Sequence, residues 1–361
     1  MNTEFASQKV LVVGCGNMGA SHARAYHKMD GFELVGLVAP TPKRREELAK
    51  ELGGVQQFDD FDKALTETRP DAVSINSYPD THYDYAIKSL KADAHVFIEK
   101  PLAETVEQAQ EIVDLATAKN KKVVVGYILR VHPAWMKFIE TAQTLGKPLV
   151  MRMNLNQQSS GGEWVTHKHL MNSMSPIVDC GVHYVDVMCQ MTRSRPIRVQ
   201  AIGARLSEEI DKEMYNYGHL QVVFEDGSVG WYEAGWGPMM SETAFFVKDV
   251  IGPKGCVSIV DPGELGNAES ADVDAHTKTN ALKRHFSDLD QSGVFTKKDV
   301  IIDTKDEPDH QGLCDREQEF FLRAIKDDLD LADHLADAVN SLRIVLAADE
   351  SVKIGKVIEL I

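Results

Sequence analysis

Short apolar runs alternate with helix-like segments over the first third of the chain. Uninterrupted apolar runs indicate strands that are buried on both faces, and apolar residues with a helical period indicate helices between them. The predicted strands are Lys9–Val13, Phe32–Val38, Ala72–Asn76, His95–Ile98 and Lys122–Gly126, and the predicted helices are Gly19–Met29, Pro42–Leu52, Tyr83–Leu90 and Val106–Lys119. This alternation predicts βαβ units in a doubly wound parallel sheet.

The pattern changes after Gly126. A helix is predicted from Pro133 to Leu145, where Gly146 and Pro148 end it. The strands predicted after it are Leu149–Asn156, Ile197–Leu206, Leu220–Phe224, Val229–Ala234 and Ala244–Val250, and the last predicted helices are Asp315–Lys326 and Leu331–Lys353.

A hairpin turn is predicted at Glu225-Asp226-Gly227-Ser228, between two of these strands, and it implies antiparallel pairing. Asp261–Asp290 is polar with little periodicity, so we expect it at the surface. The change in pattern predicts an N-terminal domain at residues 1–126 and a C-terminal domain at residues 127–361. The last helices of the second domain could pack back on the first.

Composition narrows the class of protein. The chain has 361 residues, 43% of them hydrophobic and 26% charged, as in soluble globular proteins with more than one core. The formal net charge of −16 argues against nucleic acid or an anionic membrane surface as a partner. No apolar run reaches the roughly 18 residues that span a bilayer, and MNTEFASQ lacks the features of a signal peptide. Five scattered cysteines without a C-x-x-C pair argue against disulfides, so we expect a cytoplasmic protein.

A glycine-rich turn follows the first predicted strand. Gly14, Gly16 and Gly19 form G-x-G-x-x-G between a strand and a helix. The first glycine allows the tight turn, the second lets the backbone approach a pyrophosphate, and the third lets the helix pack on the strand. The phosphates of a dinucleotide would bind the N-terminus of the helix, where Asn17 and Met18 also lie.

The end of the second predicted strand favours NADP(H) over NAD(H). An acidic residue that holds the ribose hydroxyls is expected about 20 residues after the motif. The chain has Ala39 there instead, followed by Thr41, Lys43 and Arg44. Two cations at a helix start oppose the helix dipole, so a 2′-phosphate bound between them would explain their placement. A solvated helix start is the alternative, and NAD(H) remains possible.

Two further stretches place polar side chains in apolar surroundings. Asp179, His183 and Asp186 lie in VDCGVHYVDVM, and in one continuous helix they would share an arc of roughly 60°. The fifth predicted strand ends in HVFIEKPLA, with Glu99 and Lys100 before a proline. Buried acids and an imidazole require partners or a function. The Asp–His–Asp set could hold a divalent metal, but no further ligand is evident, so no metal site is predicted.

Together with the glycine turn, these stretches resemble the Gfo/Idh/MocA family, named for glucose–fructose oxidoreductase, inositol dehydrogenase and a rhizopine-catabolism protein. The motifs are the glycine turn, Glu99-Lys100-Pro101, D-x-G-x-H-x-x-D at Asp179, Gly181, His183 and Asp186, and S-x-x-x-G at Ser351–Gly355. The resemblance covers nearly the whole chain. It implies an α/β Rossmann domain followed by an α/β domain with a large, open, mainly antiparallel sheet, which often forms the interface of a homodimer or homotetramer.

The resemblance also implies hydride transfer between nicotinamide and a secondary alcohol or ketone of a sugar, a sugar derivative or a cyclitol. It makes Lys100 and His183 the catalytic candidates. A histidine can accept a hydroxyl proton near neutrality, and Asp179 could orient it. The Lys100 ammonium could stabilise a developing alkoxide, or act as the acid and base if burial lowered its pKa. Glu99 would support the nicotinamide ribose or Lys100, and Asp186 would contact the substrate or secure its helix.

Other assignments rest on position alone. Asn76, Ser77 and His82 follow the fourth predicted strand, where the family lines the cofactor cleft. Arg130 would reach the substrate or cofactor, or form a structural salt bridge. Trp164 lies in SSGGEWVTHKH, which we predict to be a loop covering the pocket.

The aromatic residues of GWYEAGWGP have two possible roles. Tyr232 and Trp236 could stack on a sugar ring, although aromatic residues in strands more often pack the sheet. Two other functions also stay open for the chain. One is an NAD-dependent glycosidase that oxidises a sugar transiently. The other is a regulator that senses dinucleotides or sugars without turnover, although such a sensor does not need a lysine and histidine for proton transfer.

Overall fold

The computed structural model describes residues 6–240, 247–260 and 277–360 of the chain. The strands are β1 (Gln8–Val13), β2 (Phe32–Val38), β3 (Gln57–Phe58), β4 (Ala72–Ile75), β5 (His95–Glu99), β6 (Val123–Gly126), β7 (Val150–Gln158), β8 (Pro196–Ala204), β9 (Tyr217–Phe224), β10 (Val229–Gly237), β11 (Lys248–Gly252), β12 (Gly255–Val260), β13 (Ala281–Phe286), β14 (Val300–Asp303) and β15 (Ile358–Glu359). The α-helices in the described residues are α1 (Asn17–Lys28), α2 (Pro42–Glu51), α3 (Phe61–Thr68), α4 (His82–Lys91), α5 (Val106–Ala118), α6 (Pro133–Gln143), α7 (Gly161–Leu170), α8 (Pro176–Asp179), α9 (Gly181–Thr192), α10 (His310–Lys326) and α11 (Ala332–Ile354).

The chain divides into two compact units, and each is discontinuous in sequence. The first unit combines the residues up to Val131 with Asp309–Val339, and the second combines His132–Pro308 with Asn340–Ile361. The first change of unit lies near the predicted boundary after residue 126. Helix α10 belongs to the first unit.

The first unit is built on a six-stranded parallel sheet with the order β3-β2-β1-β4-β5-β6. Strands β4 and β6 are buried along their whole length, which explains their continuous apolar sequence. The strand order reverses direction between β1 and β4. Ligands of such sheets bind at this reversal, beyond the carboxyl ends of the strands. The prediction of a doubly wound parallel sheet is confirmed.

The first unit also contains two elements that the sequence analysis missed and one that it did not place. β3 and α3 escaped prediction because β3 has only two residues and the segment around it is mostly exposed. Helix α10 packs on α1, and its Phe321 ring stacks on that of Phe32 at the start of β2, with the centroids 6.0 Å apart. The core of this unit therefore needs residues from near the end of the chain.

The second unit contains a nine-stranded sheet with the order β14-β13-β12-β11-β7-β10-β9-β8-β15. Among the described strands, β7 and β10 form its one parallel pair, so the sheet is mainly antiparallel, as predicted. Gly227, at φ +83°, closes the predicted hairpin between β9 and β10. The predicted strand Ala244–Val250 and the polar segment Asp261–Asp290 lie partly outside the described residues.

The two faces of this sheet differ in burial. Met151 and Tyr232 are fully buried on the face that packs against helices, including α9. Val150, Val229 and Ile251 on the opposite face are each about two-fifths exposed, at 39%, 38% and 41%. Both Val229 and Ile251 pair with Val150 across neighbouring strands, so the three form one exposed apolar cluster. None of the helices that the described residues form is long and apolar enough to cross a membrane.

Candidate functional site

The three glycines of the turn have different structural surroundings. Gly14 has φ +91°, and a Cβ there would lie 2.4 Å from the carbonyl oxygen of Asn76. A Cβ on Gly19 would lie 2.0 Å from the carbonyl oxygen of Gly14, so only glycine lets α1 approach β1 this closely. At Gly16 the nearest atom to an added Cβ is Nη1 of Arg44, 3.9 Å away, so the protein itself leaves that position open.

Helix α1 begins directly after this open position. Gly16 is the N-cap residue, no described side chain caps it, and the first turn from Asn17 through Met18 carries no acid. Backbone N–H groups at such a terminus need a partner, and the positive end of the helix dipole favours an anion. The turn and helix start therefore fit the pyrophosphate of a dinucleotide.

The structure at the end of β2 supports part of the argument that cations at the following helix start could bind a phosphate. Ala39 is buried, and its carbonyl oxygen accepts a hydrogen bond from Arg45, which also donates to Phe58 O at 3.2 Å. Arg45 is thus used to hold the backbone. Lys43 and Arg44 are exposed at the start of α2, and the first turn of that fully described helix contains no acid.

Thr41 is the N-cap residue of α2, and no described side-chain hydrogen bond caps the helix there. Since Thr41 leaves its N–H groups uncapped, this helix start is also suited to an anion. The exposed guanidinium of Arg44 lies toward Gly16, as the 3.9 Å separation above shows. The arrangement could hold a phosphate group near the glycine turn.

The residues after β4 contact the glycine turn and the end of β5. Asn76 donates its N–H to Val13 O at 2.7 Å, and its side chain bonds Ser74, while Ser77 Oγ lies 2.6 Å from Thr81 Oγ1. His82 is fully buried, with Nδ1 2.7 Å from Pro101 O and Nε2 3.0 Å from Ser77 O. Burial lowers the pKa of His82, which therefore stays neutral near pH 7. His82 ties the segment after β4 to the residue that follows Lys100.

Glu99 and Lys100 lie at the carboxyl end of β5. Glu99 is buried, its Oε1 lies 2.8 Å from His22 Nε2, and its Oε2 accepts the Lys100 backbone N–H at 3.2 Å. A Cβ on Gly126 would lie 3.2 Å from this carboxyl group, so a glycine on β6 provides its space. Lys100 is half-buried. The carboxyl group of Glu99 therefore has a defined position beside the backbone N–H of Lys100.

The single helix expected at VDCGVHYVDVM is wrong, because the helix breaks at Cys180. Helix α8 ends at Asp179 and α9 begins at Gly181, and the His183 N–H bonds Cys180 O three residues back rather than four. The arc computed for one continuous helix therefore does not apply. Asp179 and His183 are each half-buried, on either side of the break.

Packing explains the glycine of this motif. A Cβ on Gly181 would lie 2.9 Å from the ring of Tyr232, so glycine lets the helix start lie directly on β10. Ser175 caps α8 by accepting the Val178 N–H at 3.2 Å, and its hydroxyl donates to Asp349 at 2.6 Å. These contacts fix the helix that carries Asp179.

Two other predicted residues have structural partners. Asp186 is fully buried, and Gln190 Nε2 donates to its Oδ2 at 3.0 Å, so the proposal below does not use it as a substrate ligand. Arg130 forms an ion pair with Asp337 at 2.9 Å, both side chains at most 14% exposed. Of the two roles considered for Arg130, the structure shows the salt bridge.

The aromatic candidates are all buried. Trp164 lies in helix α7, so the predicted loop is wrong, and its indole N–H donates to Glu209 at 3.3 Å. Trp236 donates to Gln157 at 2.7 Å and stacks on His167 with centroids 4.4 Å apart. Tyr232 is fully buried beneath α9, and its ring stacks on that of Tyr184. Sheet packing therefore accounts for Tyr232.

Sequence reasoning missed several buried polar residues near these groups. His22 contacts Glu99, and the only signal for it was its place three residues after Gly19 on the same helix. Gln318 on α10 contacts His22 at 2.8 Å, which no local pattern could indicate. Lys248 in the second unit is almost fully buried, and burial lowers its pKa to about 7.

Comparison with known proteins agrees with this architecture. A family model described as the oxidoreductase family with an NAD-binding Rossmann fold (GFO_IDH_MocA) matches residues 8–127, and the GFO/IDH/MocA C-terminal domain model matches residues 136–257. UDP-N-acetylglucosamine 3-dehydrogenase of Acidithiobacillus ferrooxidans is 28% identical over 55% of this chain and 59% of its own. D-glucoside 3-dehydrogenase of Escherichia coli is 26% identical over 68% of this chain and 75% of its own.

Similarity in three dimensions covers nearly the full length. Scyllo-inositol dehydrogenase from Lactobacillus casei, solved with NAD(H) and scyllo-inositol, superposes with a TM-score of 0.77 at 22% identity, over 98% of this chain and 99% of that one. The predicted fold, family and oxidoreductase class are confirmed. The chain belongs to the Gfo/Idh/MocA family of oxidoreductases, with an NAD-binding Rossmann fold in its N-terminal part.

Proposed function

We propose that the protein transfers a hydride between a nicotinamide cofactor and a secondary alcohol or ketone of a sugar, a sugar derivative or a cyclitol. The observation that carries this proposal is the position of Lys100 relative to the glycine turn. Both follow the carboxyl ends of parallel strands, and only β4 separates β1 from β5. With strands about 4.8 Å apart, the two ends lie roughly 10 Å apart at the edge where such sheets bind ligands.

The residues of the chain would have distinct roles in this reaction. The backbone of the glycine turn binds the pyrophosphate, and the bound nicotinamide supplies or takes the hydride. His183 accepts the proton of the substrate hydroxyl, and Asp179 orients its ring. The ammonium of Lys100 donates a hydrogen bond to the reacting oxygen and stabilises negative charge that develops there.

Sugars and cyclitols are the proposed substrates because the relatives act on them. Their names specify dehydrogenation of UDP-N-acetylglucosamine, D-glucosides and scyllo-inositol. These compounds share a ring with adjacent secondary hydroxyl groups. A panel of such compounds, assayed for nicotinamide reduction, would identify which ring and which carbon the protein accepts.

NADP(H) is the proposed preferred cofactor, with NAD(H) as the alternative. The support is the buried Ala39 in place of an acid, and the exposed Lys43 and Arg44 at an uncapped helix start. Named relatives include an NAD(+)-dependent enzyme, scyllo-inositol 2-dehydrogenase of Bacillus subtilis. Titration of NADPH and NADH by fluorescence quenching decides between them, and tighter binding of NADH would reject the preference.

A homodimer or homotetramer formed through the second unit's sheet is also proposed. The support is the exposed cluster of Val150, Val229 and Ile251, since contiguous exposed apolar surface is typical of interfaces. Light scattering after size exclusion gives the mass, and Ile251→Lys should reduce it. A wild-type monomer would reject this part. The cytoplasmic location stays a prediction from the sequence.

Replacement of His183 tests the proposed reaction. His183→Ala should lower turnover of a confirmed substrate at least ~100-fold and leave dinucleotide affinity nearly unchanged, since the ring acts on the substrate proton. His27→Ala, which removes an exposed histidine of α1, is the matched control. Unchanged turnover in His183→Ala would exclude the role. Cleavage of glycosides without net reduction of the cofactor would indicate the glycosidase, and no hydride exchange with any sugar would indicate the sensor.

A further inference from the structure

A buried chain of hydrogen bonds leads from α10 through α1 to the end of β5. Tyr26 donates its hydroxyl hydrogen to Gln318 Oε1. Nε2 of Gln318 lies 2.8 Å from Nδ1 of His22, and Nε2 of His22 lies 2.8 Å from Oε1 of Glu99. Tyr26, His22 and Gln318 are fully excluded from solvent, and Glu99 is 7% exposed. The chain thus links the helix that starts at the glycine turn to the residue before Lys100.

Each bond in this chain has one consistent direction. A carboxylate only accepts, so Nε2 of His22 carries the hydrogen toward Glu99. Nδ1 of His22 then accepts, and the amide nitrogen of Gln318 donates to it. In this orientation the amide oxygen of Gln318 faces Tyr26 and accepts the hydrogen of its hydroxyl group. A hydrogen on Nδ1 would face the N–H groups of Gln318, so this orientation places the ring hydrogen of His22 on Nε2.

Several titratable groups surround Glu99 in this cluster. They are Tyr26 on α1, Cys314 and Glu317 on α10, and His82 on α4, while Lys100 follows Glu99 directly and contacts it through its backbone N–H. Burial raises the pKa of the tyrosine and of the cysteine, so both are uncharged. Burial, and then the charge of Glu99, raise the pKa of Glu317 well above its usual range.

We propose that His22 and Gln318 are positioning residues that hold Glu99 as an oriented anion next to Lys100. His22 holds Oε1 of Glu99, which leaves Oε2 directed at the backbone N–H of Lys100. The main chain from which the lysine side chain extends is thereby fixed. Gln318 fixes the orientation of the His22 ring through the contact at Nδ1. The inference rests on the proposed function, because positioning Lys100 matters only if Lys100 contacts the reacting oxygen.

A metal site is the competing explanation for part of this cluster. His22, Cys314 and Glu317 each offer a ligand atom, and these atoms lie within 4.8 Å of one another. Both ring nitrogens of His22 already have partners at 2.8 Å, so a metal ion would have to break one of these bonds. The hydrogen-bond chain accounts for both nitrogens, and a metal would account for one.

The first test measures the state of His22 directly. Long-range ¹H–¹⁵N spectra of the protein with ¹⁵N-labelled histidine distinguish the two neutral tautomers from the imidazolium, and loss of one signal set in His22→Asn assigns the residue. We expect wild-type His22 to carry its ring hydrogen on Nε2, facing Glu99, with Nδ1 accepting from Gln318. An imidazolium, or hydrogen on Nδ1 alone, would overturn the inference whether or not the protein is active.

The second test changes one atom of Gln318. Gln318→Glu replaces the amide N–H donor at Nδ1 with a carboxyl oxygen, so the hydrogen bond that orients the His22 ring changes. We expect kcat to fall at least ~10-fold with an altered pH profile of kcat/KM, and dinucleotide affinity to stay within roughly threefold. Arg316→Gln makes the same change in net charge on an exposed position of α10 and should have no such effect.

The outcomes separate the two proposals. A wild-type protein that reduces no compound of the sugar panel contradicts the proposed function, and the spectra still decide the state of His22. An active wild type with unchanged kcat and pH profile in Gln318→Glu contradicts the positioning role. A lower kcat with an altered pH profile in Gln318→Glu, and neither change in Arg316→Gln, supports it.

Discussion

Alanine substitutions at Gly19 and Gly16 should differ in their effects, because the first should lower stability and the second should mainly weaken cofactor binding. In Gly19→Ala the new Cβ would lie 2.0 Å from the Gly14 carbonyl oxygen, so α1 must move by more than ~1 Å relative to β1. Overpacking of this kind costs about 1–3 kcal/mol, which lowers the melting temperature by several degrees, on the order of 5 °C. Dinucleotide binding should also weaken because the helix start moves.

Gly16→Ala should have the opposite profile. The new Cβ has its nearest neighbour 3.9 Å away, and φ −75° suits any residue. The loss of a favourable N-cap residue, about 0.5–1 kcal/mol, is offset by a reduced entropy of the unfolded chain of similar size. The melting temperature should therefore stay within ~2 °C. The methyl group occupies the space left for the pyrophosphate, so dinucleotide affinity should fall at least ~10-fold, or ~1.4 kcal/mol.

Thermal unfolding without cofactor, followed by fluorescence titration with NADPH and NADH, measures both effects on the same samples. The reasoning fails if Gly16→Ala loses as much stability as Gly19→Ala. It fails equally if Gly16→Ala binds dinucleotide as tightly as the wild type, because the open position at Gly16 would then not face the cofactor.

Three other changes follow from the described contacts. Asp337→Ala removes the buried carboxylate that pairs with Arg130 and should lower stability by about 3 kcal/mol in urea unfolding. A loss below ~1 kcal/mol would contradict the contribution of this buried ion pair. Burial is the main cause, and the neighbouring lysines the second, of a pKa of about 4 for His95 in the folded protein. Because the unfolded chain takes up the proton first, the stability that the neutral ring contributes is present above pH ~6.5 and is lost as the pH falls toward 4. Between pH 7 and pH 5, His95→Asn should therefore lose about 1 kcal/mol less stability than the wild type, a figure that allows for the partial exposure of the ring. Parallel curves of unfolding free energy against pH for the two proteins would refute this. Ser175→Ala removes the cap of α8, which should cost ~1 kcal/mol and lower turnover through Asp179, whereas unchanged turnover would separate the cap from the reaction.

The parallel sheet could be predicted because its strands are buried on both faces. An uninterrupted run such as Val10–Val13 leaves few other structures open to the chain. β3 has two residues and gives no such pattern. Helix α7 was predicted as a loop because two glycines precede Trp164, yet those glycines lie at the helix start, where they cost little.

The candidate site was predicted less completely, for a physical reason. Motif spacing located Glu99 and Lys100, and it placed Asp179 and His183 close in sequence. No local pattern indicated the break at Cys180 or the close contact of the neighbouring Gly181 with the ring of Tyr232, which is set by tertiary packing. Likewise, no pattern within α1 could indicate that His22 bonds Gln318, since nearly 300 residues separate them.

The composition of the first unit has a consequence for how the protein is made. Its core includes Phe321, and its buried hydrogen-bond chain includes Gln318, so Asp309–Val339 is part of the unit that the N-terminal strands begin. During synthesis on a ribosome, the Rossmann strands emerge long before these partners. The face of α1 that contacts them stays uncovered until residues 309–339 have also been synthesised. A fragment that stops near residue 131 would carry the complete nucleotide-binding motif and still lack a finished core.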